Sequence, residues 1–335
     1  MTHHAVELPP QGAILFIDKA EGWTSHDVVA KARRALGARK VGHAGTLDPM
    51  ATGLLVLGIG PATRLLTHLV GLGKTYETTI RLGVTTVSDD REGNIMDIAP
   101  PADVEALAAD PERIRAAVAD LTGDIEQVPS AVSAIKVDGK RAYDRVRAGE
   151  EVALQKRPVT IESFEIEEPR IASAVGLSGG SMPMDVIDVD AVVRCSSGTY
   201  IRALARDLGE KLGVGGHLVA LRRTEVGPFD LTGATATEDL AEGRIGELID
   251  PAAVARAILP ELRLTEQQAI DLGHGKRFSI EADVCPDAEL VAAVAPDERL
   301  VGLVEVKHGR ARAVTNFPTP DAVSAVRRSG PEPGA

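Results

Sequence analysis

Apolar residues along the chain follow two spacings, and together these predict strands alternating with helices. Short apolar or alternating runs of the kind that favours strands occur at Ala13–Ile17, Thr75–Leu82, Leu154–Glu168, Val186–Cys195, Leu290–Val294, Leu300–Val306 and Ala311–Asn316. Helical spacing predicts helices ending at Leu36, within Ala102–Leu121, from about Tyr200, and over Leu264–Leu272. We expect the second of these to be one helix or two, broken near Pro111.

The first predicted helix has clear end signals. Thr24 or Ser25 can cap its start, and Gly37 can end it in a left-handed turn. Its basic residues fall largely outside the face that the apolar residues form: Lys31, Arg33 and Arg34. A charged helix face is usually only solvated, but this one leads directly into the most unusual stretch of the chain.

That stretch, Lys40–Arg64, joins a turn-rich polar segment to the apolar run Leu54–Ile59. Such a pairing is typical of a loop attached to a buried strand or helix. Asp48 stands inside the loop, before a proline that disfavours helix at the preceding residue, so we expect an extended or turn backbone there. By itself, the pattern favours an aspartate that hydrogen-bonds its own turn.

Length and composition describe an ordinary globular chain. Its 335 residues suffice for one large or two ordinary domains, and 44% apolar content supports a full core. Cys195 and Cys285 lie far apart, which argues against a disulfide framework or a zinc site and fits a reducing cytoplasm. We expect no membrane span and no signal peptide, because no apolar run has the required length.

The net charge of −12, from 37 basic and 49 acidic residues, at first sight opposes a nucleic-acid partner. The basic residues are nevertheless concentrated: segments 12–80, 136–157 and 194–223 carry net charges of +3, +3 and +4. Local imbalance of this size is common. With a motif match in the same segments, it predicts a basic face and RNA affinity that falls with salt.

Two nucleotide-binding motifs can be rejected. Gly73-Lys74-Thr75 resembles the end of a P-loop, but the glycine required five places before Gly73 is His68. Gly58-Ile59-Gly60 lacks the third glycine of a dinucleotide fingerprint, since position 63 is threonine.

Residues 42–55 form a G-H-x-G-x-L-D-P-x-A-T-G-x-L core, preceded by Lys40-Val41 and followed by Gly60-x-Ala62-Thr63-Arg64. This long motif resembles the catalytic motif of the TruB family, the bacterial tRNA pseudouridine-55 synthases. The resemblance covers about the first two-thirds of the chain and continues more weakly beyond. It implies that Asp48 is the catalytic residue.

Three further blocks extend the resemblance. The Lys-x-Tyr tyrosine, here Tyr76, is implied to lie against the target base and to accept a proton. The Gly-Thr-Tyr-x-Arg pattern implies that Arg202 pairs with Asp48, and by residue type alone Arg202 is a surface arginine. The Leu-Arg-Arg pattern places Leu221 beside the flipped base.

The block Pro129–Tyr143 resembles a loop of the family that clasps tRNA. Family members commonly have an aromatic residue where this chain has Val132, and Lys136 is a candidate phosphate contact. The resemblance implies a substrate-binding set of His43, Tyr76, Tyr200, Leu221, Lys19 and Lys136.

The resemblance also implies an α+β pseudouridine synthase fold, with a mixed, mainly antiparallel sheet, followed by a small PUA-like β domain. We expect the catalytic domain over residues 1–250 with the clasping loop near 124–152, the PUA-like domain over 258–318, and a disordered tail over 319–335. A generic small β domain is an alternative for the second unit.

The expected function is that of an isomerase, an intramolecular transferase that converts uridine 55 in the T loop of tRNA to pseudouridine. We expect a cytoplasmic monomer that needs no metal, redox cofactor or nucleoside triphosphate, and whose partner is the T-loop arm of tRNA. The alternative function is a non-catalytic tRNA-binding or folding chaperone. A hydrolase built on His43, Asp48 and a serine is disfavoured because no GxSxG elbow is present.

Overall fold

A computed structural model describes residues 8–130, 136–137, 140–141, 155–175, 183–281 and 285–318. The chain forms two compact units. The first is drawn from Met1–Asp48, Leu54–Val70 and Gly227–Ala335, and the second from Pro49–Gly53 and Gly71–Val226. Val132, the segment 176–182 and the tail 319–335 lie outside the described residues, so our expectations for them stay predictions.

The described residues contain short strands and helices throughout. The strands are β1 Ala13–Lys19, β2 Val41–His43, β3 Thr52–Ile59, β4 Lys74–Leu82, β5 Val84–Thr86, β6 Ile95–Ile98, β7 Gly123–Gln127, β8 Lys136–Val137, β9 Lys140–Arg141, β10 Arg157–Ile166, β11 Arg170–Val175, β12 Pro183–Cys195, β13 Gly216–Val226, β14 Thr235–Ala236, β15 Glu261–Arg263, β16 Phe278–Ser279, β17 Ala288–Val294, β18 Leu300–Lys307 and β19 Arg310–Asn316. The helices are α1 Ser25–Leu36, α2 Leu66–Val70, α3 Pro101–Ala108, α4 Pro111–Ala119, α5 Ile201–Leu212, α6 Thr237–Ala241, α7 Pro251–Ile258 and α8 Glu266–Gly273, with a 3₁₀ helix at Gly60–Leu65.

In the first unit, helix α1 confirms the predicted end signals. Thr24 is the N-cap and forms a reciprocal capping box with Asp27, and Gly37 ends the helix with φ +61°. Strand β1 pairs in parallel with β14, and β2 pairs antiparallel with β3, matching His43 to Leu57. These elements fix the two ends of the segment that carries the Asp48 loop.

The small β domain also belongs to the first unit. Strands β17, β18 and β19 form an antiparallel meander, with β15 parallel to β17 and β16 antiparallel to β19. Helix α8 begins at Thr265 with a capping box and buries Ala269 and Leu272 in the core of this domain. The three longer strands and the helix confirm the predicted pattern, whereas the two short strands gave no sequence signal.

The second unit is built on an extended sheet in the order β13-β4-β12-β10-β7, with antiparallel pairing between each pair of neighbours. Strand β11 pairs antiparallel with the first half of β12, whereas β10 pairs with its second half. The first two residues of β3 join this sheet through β13, and this pairing is parallel. The mixed, mainly antiparallel sheet confirms the expected α+β class. The region 101–121 forms two helices that separate at Pro111, as the proline predicted.

Gly53 permits the closest backbone approach in this parallel pairing. It has φ +97°, and a Cβ atom at this position would lie 2.2 Å from the Arg223 carbonyl oxygen. Only glycine adopts this φ readily and has no Cβ atom to overlap the Arg223 carbonyl. The glycine of the motif therefore serves the contact between β3 and β13.

Within the described residues, no helix is long and apolar enough to cross a membrane.

We expect Gly53→Ala to lower the free energy of unfolding by more than about 3 kcal/mol, because its Cβ would overlap backbone that cannot move aside. Gly37→Ala is the matched control. It also has positive φ, but nothing lies within 4 Å of its Cβ position. Its cost is therefore about 1 kcal/mol. Denaturant unfolding of both variants measures the difference, and equal costs would contradict the steric account.

Candidate active site

The loop that carries Asp48 is held by a side chain of helix α1. The Ser25 hydroxyl accepts a hydrogen bond from the Leu47 amide at 2.9 Å and donates one to the Leu47 carbonyl at 3.0 Å. Both residues are buried. The sequence suggests Ser25 only as a helix cap, but Thr24 takes that position. Ser25 instead fixes Leu47, the residue before Asp48. Asp48 itself is half-buried.

His43 and Lys19 also belong to the first unit. The half-buried His43 ring meets the ring of His26 edge to face, with centroids 5.9 Å apart. Lys19 is fully buried, and its ammonium donates to the carbonyls of Ala20 at 3.0 Å and Trp23 at 2.7 Å. Lys19 therefore holds the turn before α1, and its contact with substrate stays a prediction.

In the second unit, Tyr76 and Leu221 lie on one face of the sheet. Tyr76 of β4 pairs with Arg223 of β13, and Leu221 pairs with Thr78, two residues along β4. Residues paired across antiparallel strands share a face, and positions two apart along a strand share it too. The structure thus brings together the tyrosine and leucine that the resemblance assigned to the target base.

Arg202 is buried, with 7% of its surface exposed, so the interpretation of it as a surface residue is wrong. Its guanidinium donates to the Ser88 carbonyl at 3.0 Å and to the Asp90 carboxylate at 3.2 Å. Asp90 also accepts from the Ser88 hydroxyl at 2.5 Å and the Glu92 amide at 3.0 Å. The turn after β5 is therefore organised around the charge of Arg202.

One helical turn further along α5, Arg206 binds the same turn and a neighbouring strand end. It donates to the Asp89 carboxylate at 3.2 Å and to the Val128 carbonyl at 2.8 Å. Asp89 has φ +58°, and burial raises the pKa of its carboxyl, although Ser130 and Arg206 lower it. The i, i+4 spacing of the two arginines is the sequence signal that could have indicated this arrangement, and the sequence-based prediction did not include it.

Helix α5 has no side-chain cap. The Thr199 hydroxyl, close to the helix start, donates to the Ser196 carbonyl and not toward the helix. Gln127 holds the residue before the helix: the Tyr200 amide donates to its Oε1 at 2.8 Å, and its Nε2 donates to the Tyr200 carbonyl at 3.0 Å. A buried amide from β7 thus positions Tyr200.

Two buried cations lie on the same face of the sheet as Tyr76. Lys74 and Arg223 are buried, and both lie on the face that carries Tyr76. Lys74 donates to the Leu72 carbonyl at 2.6 Å and lies 3.4 Å from the Ser197 hydroxyl. Burial lowers the pKa of Lys74 to about 8, and Arg223 contributes to the shift.

The sequence-predicted residues are therefore divided between the units. Asp48, His43 and Lys19 belong to the first, whereas Tyr76, Arg202, Tyr200 and Leu221 belong to the second. The pairing of Asp48 with Arg202 stays a prediction, and the side chain of Lys136 lies outside the described residues. Among the described side chains, no group of three or more His, Cys, Asp and Glu could hold a metal ion.

Solved structures with the same architecture define the fold. The chain superposes with a TM-score of 0.63 on a protein in the structure titled "H/ACA RNP bound to a substrate RNA containing 2'-deoxyuridine", at 21% identity, covering 96% of this chain and 93% of that one. A chain of a Cbf5-Nop10-Gar1 complex gives a TM-score of 0.62 at 22% identity, covering 95% and 90%. The chain therefore shares the fold of this class of proteins.

Sequence comparisons narrow this class to one family. Residues 33–201 match the model of the TruB family pseudouridylate synthase N-terminal domain. Residues 202–261 match the tRNA pseudouridylate synthase B C-terminal domain, and 259–318 match the tRNA pseudouridine synthase II C-terminal domain. The chain belongs to the TruB family of pseudouridylate synthases.

Its relatives are similar over nearly their whole length. The tRNA pseudouridine synthase B of Leifsonia xyli subsp. xyli is 55% identical over 305 residues, which are 91% of this chain and 96% of the relative. The proteins of the same name from Arthrobacter sp. strain FB24 and Thermobifida fusca are 52% and 47% identical, each over 91% of this chain and over 96% and 98% of the relative.

The depressed pKa of Lys74 predicts a pH dependence of stability. The folded pKa, about 8, lies below the ordinary value of 10.5, so folding disfavours the charged form. This penalty is present in full below pH 8 and disappears as pH rises toward 10.5, because the unfolded chain then binds the extra proton. The parent should therefore gain stability relative to Lys74→Met between these pH values.

The measurement is the difference in free energy of unfolding between parent and variant across that range. The neighbouring groups that titrate or carry charge are Cys195, whose pKa burial raises to about 11, Glu162 and Arg223. All three are present in both proteins, and Cys195, whose pKa Lys74 lowers, titrates at about 11, above the range in which Lys74 changes its charge. Exposed Lys211→Met should show a flat difference, and a flat difference for Lys74→Met would refute the assignment.

Proposed function

We propose that this protein isomerises uridine 55 in the T loop of tRNA to pseudouridine. One observation carries the proposal: the complete motif Gly42–Leu55 occurs in a chain that is 55% identical, nearly end to end, to a tRNA pseudouridine synthase B. The choice of the T-loop uridine comes from the resemblance of the motif. The same resemblance favours a monomer that works in the cytoplasm.

The reaction sets specific demands on the site. The bond between N1 of the base and C1′ of the ribose breaks, the base turns, and a bond forms between C5 and C1′, so the product is an isomer of the substrate. The proton on C5 is released to solvent and N1 gains one. An ionised nucleophile and a proton acceptor suffice for these steps.

In the proposed mechanism, Asp48 is the nucleophile that attacks the bound uridine. A carboxylate in a closed site tends to take up a proton, and a nearby guanidinium keeps it charged. Arg202 is suited to this task because Asp90 and the Ser88 carbonyl hold it in one buried orientation. Tyr76 accepts the proton that the rearrangement releases.

The target base must leave its stack, which costs a few kcal/mol. His43 fills the space in the RNA, and Tyr200 and Leu221 form walls for the extruded base. The structure supports the roles of Tyr200 and Leu221 in one respect: the backbone of each residue is held by defined partners. Gln127 fixes Tyr200, and strand pairing fixes Leu221 beside Tyr76. Lys19 and Lys136 complete the proposed binding set.

The decisive test is release of tritium from an unmodified tRNA transcript labelled at C5 of uridine. We expect about one equivalent per tRNA from the parent protein, since one uridine is the target. Asp48→Asn should lose more than about 10⁴-fold in rate while retaining tRNA affinity, because it removes the nucleophile without changing shape. Asp103→Asn, at an exposed site on α3, is the matched control.

A second test concerns Tyr76. Tyr76→Phe removes only the hydroxyl, so we expect a loss of about 10²- to 10⁴-fold in single-turnover rate with little change in Kd. An equal loss in affinity and no loss in rate would assign Tyr76 to binding alone. Tight, salt-sensitive binding without any tritium release by the parent would favour the chaperone function instead.

A further inference from the structure

Helix α1 carries a groove that the proposed mechanism does not use. The groove has a volume of about 300 Å³ and is lined by Gly22, Trp23, Asp27, Ala30, Lys31 and Arg34. Positions 27, 30, 31 and 34 follow one another at the three- and four-residue spacing of a single helix face. Trp23 closes one end of the groove, and Arg34 stands at the other.

The backbone at the aromatic end of the groove is held by a buried lysine. Trp23 is half-buried, and its carbonyl accepts a hydrogen bond of 2.7 Å from the fully buried Lys19. The Lys31 ammonium lies 5.9 Å from the centroid of the Trp23 ring. An indole with an adjacent cation is a combination that can bind a nucleobase together with its phosphate.

The centre of the groove is open because Ala30 is small. Ala30 is exposed, so a longer side chain would be tolerated there as far as the core is concerned. Asp27 places a negative charge at the rim, but its Oδ2 accepts hydrogen bonds from the Thr24 amide at 3.0 Å and hydroxyl at 2.6 Å. Lys31 and Arg34 are therefore the two groups of the groove that suit a phosphate.

The groove is close to a residue with a proposed role in RNA binding. His26, which directly precedes Asp27, is in edge-to-face contact with His43. RNA bound at His43 would therefore lie near the first turn of α1, where the groove begins. This continuity, together with the two cations, favours RNA over an acidic peptide as the occupant.

We propose that this groove binds one unpaired nucleotide of the tRNA, outside the pocket for the target uridine. The base lies against Trp23, and the flanking phosphates lie at Lys31 and Arg34. The proposal rests on the proposed function, because it takes tRNA as the substrate.

Trp23 is the single tryptophan of the chain, so its fluorescence reports directly on the groove. Titration of the full-length protein with unmodified tRNA transcript should change the indole emission and protect it from acrylamide. The midpoint should equal the Kd from filter binding. Unchanged emission and unchanged quenching at saturating tRNA would overturn the proposal.

Two variants test the groove by different physical routes. Ala30→Leu fills it without changing charge, and Lys31→Gln/Arg34→Gln removes both cations. Each should raise the Kd for tRNA roughly tenfold. The double variant should also lower the slope of log Kd against log salt by about 1.4 to 1.8, the value for two phosphates.

The charge-matched control is Arg115→Gln/Arg170→Gln in the other unit, at two positions outside the three basic segments, and it should bind tRNA like the parent. Parent-like affinity and salt slope in both groove variants would overturn the inference and leave the proposed function intact, since tritium release by the parent is measured separately. Failure of the parent to bind tRNA or to release tritium would overturn both. Thermal melting confirms that every variant is folded.

Discussion

The constraint on which the structure depends is the meeting of two backbones at Gly53. Strand β3 begins here in parallel with β13, and the space for a side chain is occupied by the Arg223 carbonyl. Four residues separate Asp48 from this point, and on its other side Ser25 holds Leu47. Within the first unit, the two hydrogen bonds of Ser25 hold the backbone directly before Asp48 in one conformation.

Buried charge is the second organising feature. Arg202 and Arg206 project from one face of α5, and the turn at Ser88, Asp89 and Asp90 supplies carboxylates and a carbonyl to both. Removing charges from water is costly, and good geometry with several hydrogen bonds compensates for it. Both arginine side chains are therefore oriented by hydrogen bonds within the protein. Lys74 and Arg223 add positive potential on the sheet face that carries Tyr76.

The long, regular signals in the sequence were reliable. Capping residues predicted α1 within a residue, and Pro111 divided two helices as its missing N–H requires. The errors arose where a residue's partner is distant in the chain. Nothing near Tyr200 in the sequence shows that Gln127, 73 residues away, bonds its backbone. Arg202 likewise has the spacing of a surface residue, and only the tertiary structure shows that it is buried in an ion pair with Asp90.

The sequence by itself determined the family, the motif around Asp48, and most elements of secondary structure, because these depend on local residue order and on a pattern too long to arise by chance. The tertiary structure alone decided which polar groups became buried and what they bind. It decided that Ser25 binds the backbone of Leu47 and does not cap the helix. It also placed Trp23, Ala30 and Lys31 around one groove. Those outcomes depend on packing in three dimensions, which no local pattern encodes.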